Sequence, residues 1–329
     1  MPKASIIITT HNRPHLLPRA IASACASGQD VEVIVVDDAS SDETASICQS
    51  TRGITYVRLD RNQGVAGARN VGLVASRGEY ISFLDDDDVR LRNSLDEQIE
   101  ALRQTPEAML CYAKAIPGVA SGKKSEPYPS HCPQGDIFWK LLVRNFIPCG
   151  TVVVRRACVS RVGLLDDSIP GIDDWDIWIR IVELFPVIAM EMPVIIWRQS
   201  TPASAQGSSR TVELIALGRR RFRDHWMKLP RAVNATRAER HEAWRAFSRN
   251  IAEHLTWETL SALRQGQARR GLTSAQTLLR LHPGALLSVL RRWTRASTII
   301  TLMTAGTGRN DLANAKTRFK QIRSDAPRQ

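Results

Sequence analysis

The 329-residue chain is 43% hydrophobic and 24% charged, with a formal charge of +12; this composition is ordinary for a soluble globular protein, and disorder is not the default. Its longest apolar stretches, such as Val187 to Trp197, are short or interrupted by a charge, far under the roughly 20 residues that cross a bilayer, so no spanning helix is expected. The opening MPKASIIITT lacks a secretory apolar core, and the six cysteines (25, 48, 111, 132, 149 and 158) show no CxxC or zinc spacing, so export is not expected and the thiols read as reduced and mostly buried.

Charge is unevenly distributed. Residues 205–329 hold 24 basic and 8 acidic side chains, whereas residues 1–204 hold 21 and 25. Two regions facing different partners are expected, 1–204 and a basic 205–329, joined through the Ser/Ala/Gly/Gln-rich stretch Ser200 to Ser209.

Along the chain, Ser5 to Thr10 (SIIITT) predicts a buried strand, and Leu16, Leu17, Ala20, Ile21 and Ala24 after Pro14 have helical spacing. Val31 to Val36 predicts a second strand ending in Asp37 and Asp38, with Ser40 and Glu43 fitting a capping box for the next helix. Ile54 to Leu59 predicts a third strand, Asn62 to Gly64 a turn, Val65 to Ser76 a third helix and Tyr80 to Leu84 a fourth strand. This alternation implies parallel βαβ units with helices on both faces and a ligand rim at the carboxyl ends of the strands. Thr9 to Asn12, Asp37 with Asp38, and Asp85 to Asp88 should converge there.

The last of these, in FLDDDDVR, sets four carboxylates side by side. Adjacent like charges repel and raise one another's pKa, so the run is either a solvated turn, the usual fate of a charge run, or it holds an ion. Convergence at one rim, with Arg69 on a neighbouring helix, favours a divalent cation and a phosphate-bearing ligand; Mg²⁺ or Mn²⁺ takes oxygen ligands, one or two carboxylates plus phosphate and water.

A second constellation is PGIDDWDIWIR, 170–180. Asp174, Trp178 and Ile181 at helical spacing leave a carboxylate on an apolar face, where the charged form is disfavoured and the pKa rises toward the range of a general base. The competing reading, that Asp173 or Asp174 caps the helix and the tryptophans are core, stays open on this segment alone.

Together ASIIITTHNRPHLLPRAIASACAS, VEVIVVDDASSDET, RNQGVAGARNVGLVASRGEYISFLDDDDV and NFIPCGTVVVRRACVSRVGLLDDSIPGIDDWDIWIR, in this order over residues 4 to 181, resemble glycosyltransferase family 2, the inverting nucleotide-sugar transferases of the GT-A fold. The resemblance implies an α/β GT-A fold, Rossmann-like with a mostly parallel central sheet and helices on both faces, which is expected over 1–204, with the basic region 205–329 as a helical extension. It puts Thr9, His11 and Asp38 at the nucleotide base, Arg69 on the nucleotide side, and Asp86 near the ribose. Asp85 and Asp87 become the outer acids of a DxD metal site, with Asp87 the first choice as ligand and Asp88 behind them. Asp174 becomes the general base. Asp173 and Trp175 fall on the acceptor side, Asp173 standing where the family usually has Glu, and Arg198 on a loop beside the diphosphate.

The implied reaction is one in-line displacement: an acceptor hydroxyl gives its proton to Asp174 and attacks the anomeric carbon, while Mg²⁺ or Mn²⁺ at Asp87 offsets charge on the departing diphosphate. The implied partners are a nucleoside-diphosphate sugar, a UDP-sugar first, and a saccharide or lipid-linked acceptor, in the cytoplasm, in envelope polysaccharide synthesis. Other readings are a nucleotidyltransferase or other phosphate-transfer enzyme, against which THNRPH is no phosphate loop, and an inactive sugar-nucleotide binder.

Beyond 210 the pattern is helical. Trp244, Phe247, Ile251 and Leu255 form one stripe, and Ala285 to Trp293 is apolar and followed by arginines. This region reads either as helices packing with a solvated basic face, or as a peripheral contact with an anionic membrane at its inner face; no nucleic-acid motif is present and no nucleic acid is expected.

Overall fold

The computed structural model describes residues 1–118, 126–198 and 210–282. It divides into two compact units, Met1–Asn250 and Ile251–Gln329. The expected linker and the apolar segment at 285–293 lie outside the described residues.

Unit one is built on an eight-stranded sheet in the order β3-β2-β1-β4-β7-β6-β8-β5. Its strands are β1 Ala4–Thr10, β2 Val31–Asp37, β3 Ile54–Arg58, β4 Tyr80–Asp85, β5 Val89–Arg90, β6 Leu110–Gly118, β7 Val153–Arg155 and β8 Val187–Arg198. β1 to β4 are parallel, β7 runs against its neighbours β4 and β6, β6 and β8 are parallel, and β5 runs against β8. Burial on both faces explains the unbroken apolar text of the central strands: Ile6, Ile7 and Ile8 are all buried.

The helices of this unit are α1 Leu17–Cys25, α2 Thr44–Ser50, α3 Gly64–Ala75, α4 Ser94–Gln104, α5 Phe138–Val143, α6 Arg156–Val162, α7 Asp173–Leu184, α8 Thr211–Asp224 and the short α9 Pro230–Val233. α10, Arg237–Arg264, contains the division between the units, and α11 is Ala268–Leu281. α8, α9 and the first half of α10 therefore belong to the same unit as the sheet. Phe247, Ile251 and Leu255 of the expected stripe are buried and Trp244 is half-buried. Among the described residues no helix is long and apolar enough to cross a membrane.

The expected strands and helices of the first 85 residues are present within a residue or two. The capping box is not. Ser40 Oγ instead accepts the backbone N–H of Asn12 (2.9 Å), and α2 opens on Asp42, whose Oδ1 accepts the N–H and hydroxyl of Thr44. A loop that crosses to the next strand end competes for Ser40, so tertiary contact overrides the local signal.

α3 lies hard against β1 at Gly72, where an added Cβ would sit 2.3 Å from Ile7 Cγ2. The β-branched Ile7 is fully packed and cannot swing aside. Gly72→Ala should therefore lower stability on the order of 1–2 kcal/mol despite alanine's better helix propensity. A thermal or denaturant melt equal to or above that of the parent would contradict this packing.

Candidate active site

The strand ends do meet. Thr10, closing β1, donates its hydroxyl to Asp86 Oδ2 (2.8 Å). The backbone N–H of Asp38 reaches Thr10 O (2.9 Å), and Asp38 Oδ1 accepts the N–H of Gln63 (2.6 Å), which holds the start of α3 to the rim. His11 Nδ1 lies 2.7 Å from Asp38 O. A carbonyl only accepts, so Nδ1 carries the proton and Nε2 accepts from the Asn12 amide, 3.1 Å away. Asn12 and Ala39 both take left-handed backbone conformations, φ 54° and 59°, and Ala39 has no side-chain compensation for that conformation. Thr9 is buried beside them.

Asp37 is a structural acid: it is fully buried, with Oδ1 on the N–H of Ser40 and Oδ2 on the Tyr56 hydroxyl. Its neighbour Asp38 spends only one carboxylate oxygen on the protein's backbone in this way.

The acid run turns sharply after β4, the N–H of Asp88 bonding Asp85 O. Arg13 reaches it from the loop after β1, with Nη1 2.9 Å from Asp86 Oδ1 and 3.4 Å from Asp87 Oδ2. Asp88 Oδ1 accepts the backbone N–H of Arg198 (2.8 Å), pinning the end of β8. Cations do not balance the acids: burial pushes the Asp86 carboxyl up to about 6, against the pull of Arg13. Asp87 is raised by burial and then by Asp85, and Asp88 likewise lies well above the usual range.

Arg90, just after the run, is buried without a carboxylate. It donates to Ser82 Oγ (2.9 Å), Gly150 O (3.0 Å) and Gln98 Oε1, and burial lowers it to about 10. It ties the acid turn to β4 and to the 3-10 turn at Cys149–Thr151.

Arg69, on α3, joins the two acidic segments. Its Nη2 is 2.7 Å from Asp85 Oδ1 and its Nη1 is 3.1 Å from Asp173 Oδ2, with the guanidinium side chain 5% exposed. Nucleotide contact was expected of it; the structure engages it with one acid of each cluster. Asp173 Oδ1 also accepts the N–H of Gly171. Asp174, buried at the start of α7, accepts the N–H of Trp175 (2.6 Å). Burial, then Asp173, lifts its carboxyl to about 7 against the pull of Arg69. The Cys149 thiol faces the same charges, and burial keeps it neutral.

Two residues of α7 have structural partners. Trp175, expected on the acceptor side, sends its indole N–H to Leu141 O (2.8 Å) and packs on Trp226 (4.7 Å between centroids) and Phe247. Its helical position turns it away from the side that carries Asp173. Asp176 is buried and saturated by Arg180 Nε, Arg221 Nε and Trp226 Nε1, at 2.7–2.9 Å. Sequence reading overlooked Arg13 and Arg90. Arg13 was findable, being the cation in a loop already placed at the rim; Arg90 was not, since its role depends on Gln98 and Gly150 folding over it.

Among the described residues no three of His, Cys, Asp and Glu are arranged to hold a metal by themselves. The donor set fits a hard cation that arrives with phosphate oxygens: Asp85 and Asp87 supply two carboxylates in a site with more acid than base, which a dication would relieve.

Residues 5–161 match the model of glycosyl transferase family 2. Over these residues the chain is similar to glycosyltransferase family 2. An uncharacterized glycosyltransferase of Haemophilus influenzae is 26% identical over 54% of this chain and 62% of its own length. The match spans 58–60% of two rickettsial relatives. The UDP-Glc:alpha-D-GlcNAc-diphosphoundecaprenol beta-1,3-glucosyltransferase WfaP of Escherichia coli is 28% identical over 55% of this chain and 71% of its length. Among solved structures, Staphylococcus aureus TarS 1-349 in complex with UDP covers 84% of this chain and 90% of its own, with a TM-score of 0.51 and 16% identity; that likeness is one of fold. The fold is GT-A, as the sequence resemblance implied. The family match stops short of Asp173 and Asp174; Arg69, inside it, reaches Asp173 directly.

Removing that contact should be costly. Arg69→Met leaves Asp173 buried and unpaired, and a broken buried ion pair costs about 3–5 kcal/mol. A denaturant melt showing less than about 1 kcal/mol of loss would mean the two acids do not depend on Arg69.

Proposed function

We propose that the protein is a metal-assisted inverting glycosyltransferase that moves a sugar from a nucleoside-diphosphate sugar to an acceptor hydroxyl. The observation that supports this is the Arg69 bridge, which joins Asp85 of the acid run to Asp173, the neighbour of the buried Asp174. Metal-type acids alone would fit any phosphate-handling enzyme; a buried carboxyl with a raised pKa beside them supplies the base that transfer to a hydroxyl needs.

In this reading Asp38, His11 and Thr9 bind the nucleotide base, Asp86 lies by the ribose, and Asp85 and Asp87 hold Mg²⁺ or Mn²⁺. The bound cation would neutralise charge on the leaving diphosphate. Arg13 and Arg198 lie close enough to Asp87 to ease its ionisation and steer the anionic donor toward the acid turn. Asp174 takes the proton of the acceptor hydroxyl as its oxygen attacks the anomeric carbon. Arg69 holds Asp173 in place beside it, and Asp173 orients the acceptor. One in-line attack inverts the anomeric centre.

The donor we propose is a UDP-sugar, supported by the UDP-glucose in the name of the Escherichia coli relative and by the TarS complexes with UDP and UDP-GlcNAc. The acceptor we propose is a saccharide on a lipid diphosphate. It is supported by the diphosphoundecaprenol acceptor named for that relative and for a Campylobacter jejuni beta-1,3-glucosyltransferase, 42% identical over 29% of this chain and 33% of its own. Such a substrate calls for peripheral contact with an anionic membrane, by a protein working on its cytoplasmic side.

The decisive experiment measures UDP-sugar binding and transfer in Mg²⁺ or Mn²⁺ for the parent, Asp87→Ala and Asp174→Ala. Asp87→Ala should lose donor binding; Asp174→Ala should keep it while transfer falls by roughly 10²-fold or more. Normal transfer by Asp174→Ala, or full parental activity in chelator, would refute the mechanism. An inactive binder would take up donor without turnover.

The raised carboxyl of Asp174 gives a pH signature. The base works only when ionised, so transfer at saturating donor should rise about tenfold per pH unit below neutrality and level off above about 7. A rate independent of pH between 5 and 8 would remove Asp174 from the proton-transfer step.

A further inference from the structure

Within unit one, away from the acids, a groove of about 690 Å³ opens between α8 and the start of α10. Phe222, Met227 and Trp244 form its apolar walls; Arg237, Arg240 and His241 stand exposed at its mouth. Phe222 and Trp244 are fixed by stacking with Phe247, and Arg219 lies over the Trp244 ring at 5.6 Å.

The charge around the groove is one-sided. Residues 219–245 hold nine Lys or Arg against three acids; Arg221, Arg223 and Arg231 are paired with carboxylates, and of the acids Asp224 is taken by Arg223 and Glu239 by the N–H and hydroxyl of Thr236 at the start of α10. Arg237 and Arg240 form no ion pair among the described residues. Both sit in the first turn of α10, where the helix favours acids, so their positive charge adds to the helix's own rather than cancelling it. A soluble anion would need the arginines but not the apolar walls. An apolar peptide would need the walls but would gain nothing from unpaired cations. A phospholipid surface uses both, with phosphates on the arginines, an acyl chain in the groove, and a tryptophan at the boundary.

We infer that this groove is the surface by which the protein docks on an anionic bilayer. The inference rests on the proposed lipid-linked acceptor, because docking there would hold the enzyme where that acceptor resides. It also moves the contact from the basic region as a whole to one groove of the unit that carries the sheet.

The test uses the full chain, sedimented with phosphatidylcholine vesicles with and without phosphatidylglycerol, and followed by tryptophan emission with brominated acyl chains. The parent should bind only the anionic vesicles, and bromine should quench an emission component that Trp244→Phe lacks. The doubly reversed Arg237→Glu/Arg240→Glu variant should bind on the order of tenfold more weakly or worse. These arginines are exposed and form no ion pair among the described residues, so the variant should fold; its circular dichroism and its transfer to a soluble saccharide acceptor should match the parent. Parental vesicle binding by this variant would overturn the groove while leaving membrane contact standing. No vesicle binding by the parent, or tighter binding of single-stranded RNA than of vesicles, would overturn both. Vesicle binding through the groove without any sugar transfer would leave the groove in place and refute the proposed function.

Discussion

A single buried guanidinium holds the candidate site together. Arg69 sits between Asp85, at the end of β4, and Asp173, at the start of α7. Without it, acids separated by 88 positions in the chain would face one another across a poorly solvated space and repel. The arginine has to arrive at the right depth, and Gly72, one turn along α3, allows that approach by letting the helix touch Ile7 of β1. Its ring contact with Phe83 of β4, 5.6 Å to the centroid, fixes the plane of the fork. Helix, strand and acid pair are therefore one arrangement.

The acids of this protein divide by how completely they are satisfied. Asp37 and Asp176 are buried with hydrogen bonds on both oxygens, and they do architectural work: one shapes the loop after β2, the other fastens α7 to Arg221 and Trp226. Asp86, Asp88 and Asp174 are buried and Asp87 is half-buried, all with too little positive charge nearby, and their ionised forms are disfavoured. A fold selected for stability alone has no reason to keep such a deficit. Under-compensation is what a bound cation, or a proton taken from a substrate, can repair.

Much of this was legible in the sequence. Period and turn chemistry located the strands and helices of the first 85 residues, because buried parallel strands read as continuous β-branched runs and the helices between them are amphipathic. The rim followed from topology, since parallel strands bring their carboxyl ends together whatever their spacing in the chain. Contacts between distant segments were not legible. Trp175 and Asp174 are adjacent, and only the packing of Trp226 and Phe247 decides that the indole belongs to the architecture. Ser40 carries the local signature of a cap, yet Asn12, brought in by the loop after β1, claims it. Arg69 reads as a cation near the donor; that it spans both acid clusters depends on α7 arriving from a hundred residues later.

The same packing bears on how catalysis and docking are related. α7 carries Asp174 near its start and Asp176 two residues on, and Asp176 takes Arg221 from α8 and Trp226 from the turn that follows. Phe222, next to Arg221, forms one wall of the cationic groove and stacks on Phe247, against which Trp175 also packs. The groove and the proposed base are thus linked through consecutive buried contacts within one compact unit, not through a flexible tether. Close-packed interiors hold such distances nearly fixed. A membrane-bound orientation set at the groove would then fix where Asp173 and Asp174 stand above the bilayer, so α8 and the start of α10 would set acceptor position as well as attachment. Asp176 makes this link with two hydrogen bonds, one from Arg221 of α8 and one from Trp226 of the turn after it, where apolar packing alone would have served stability.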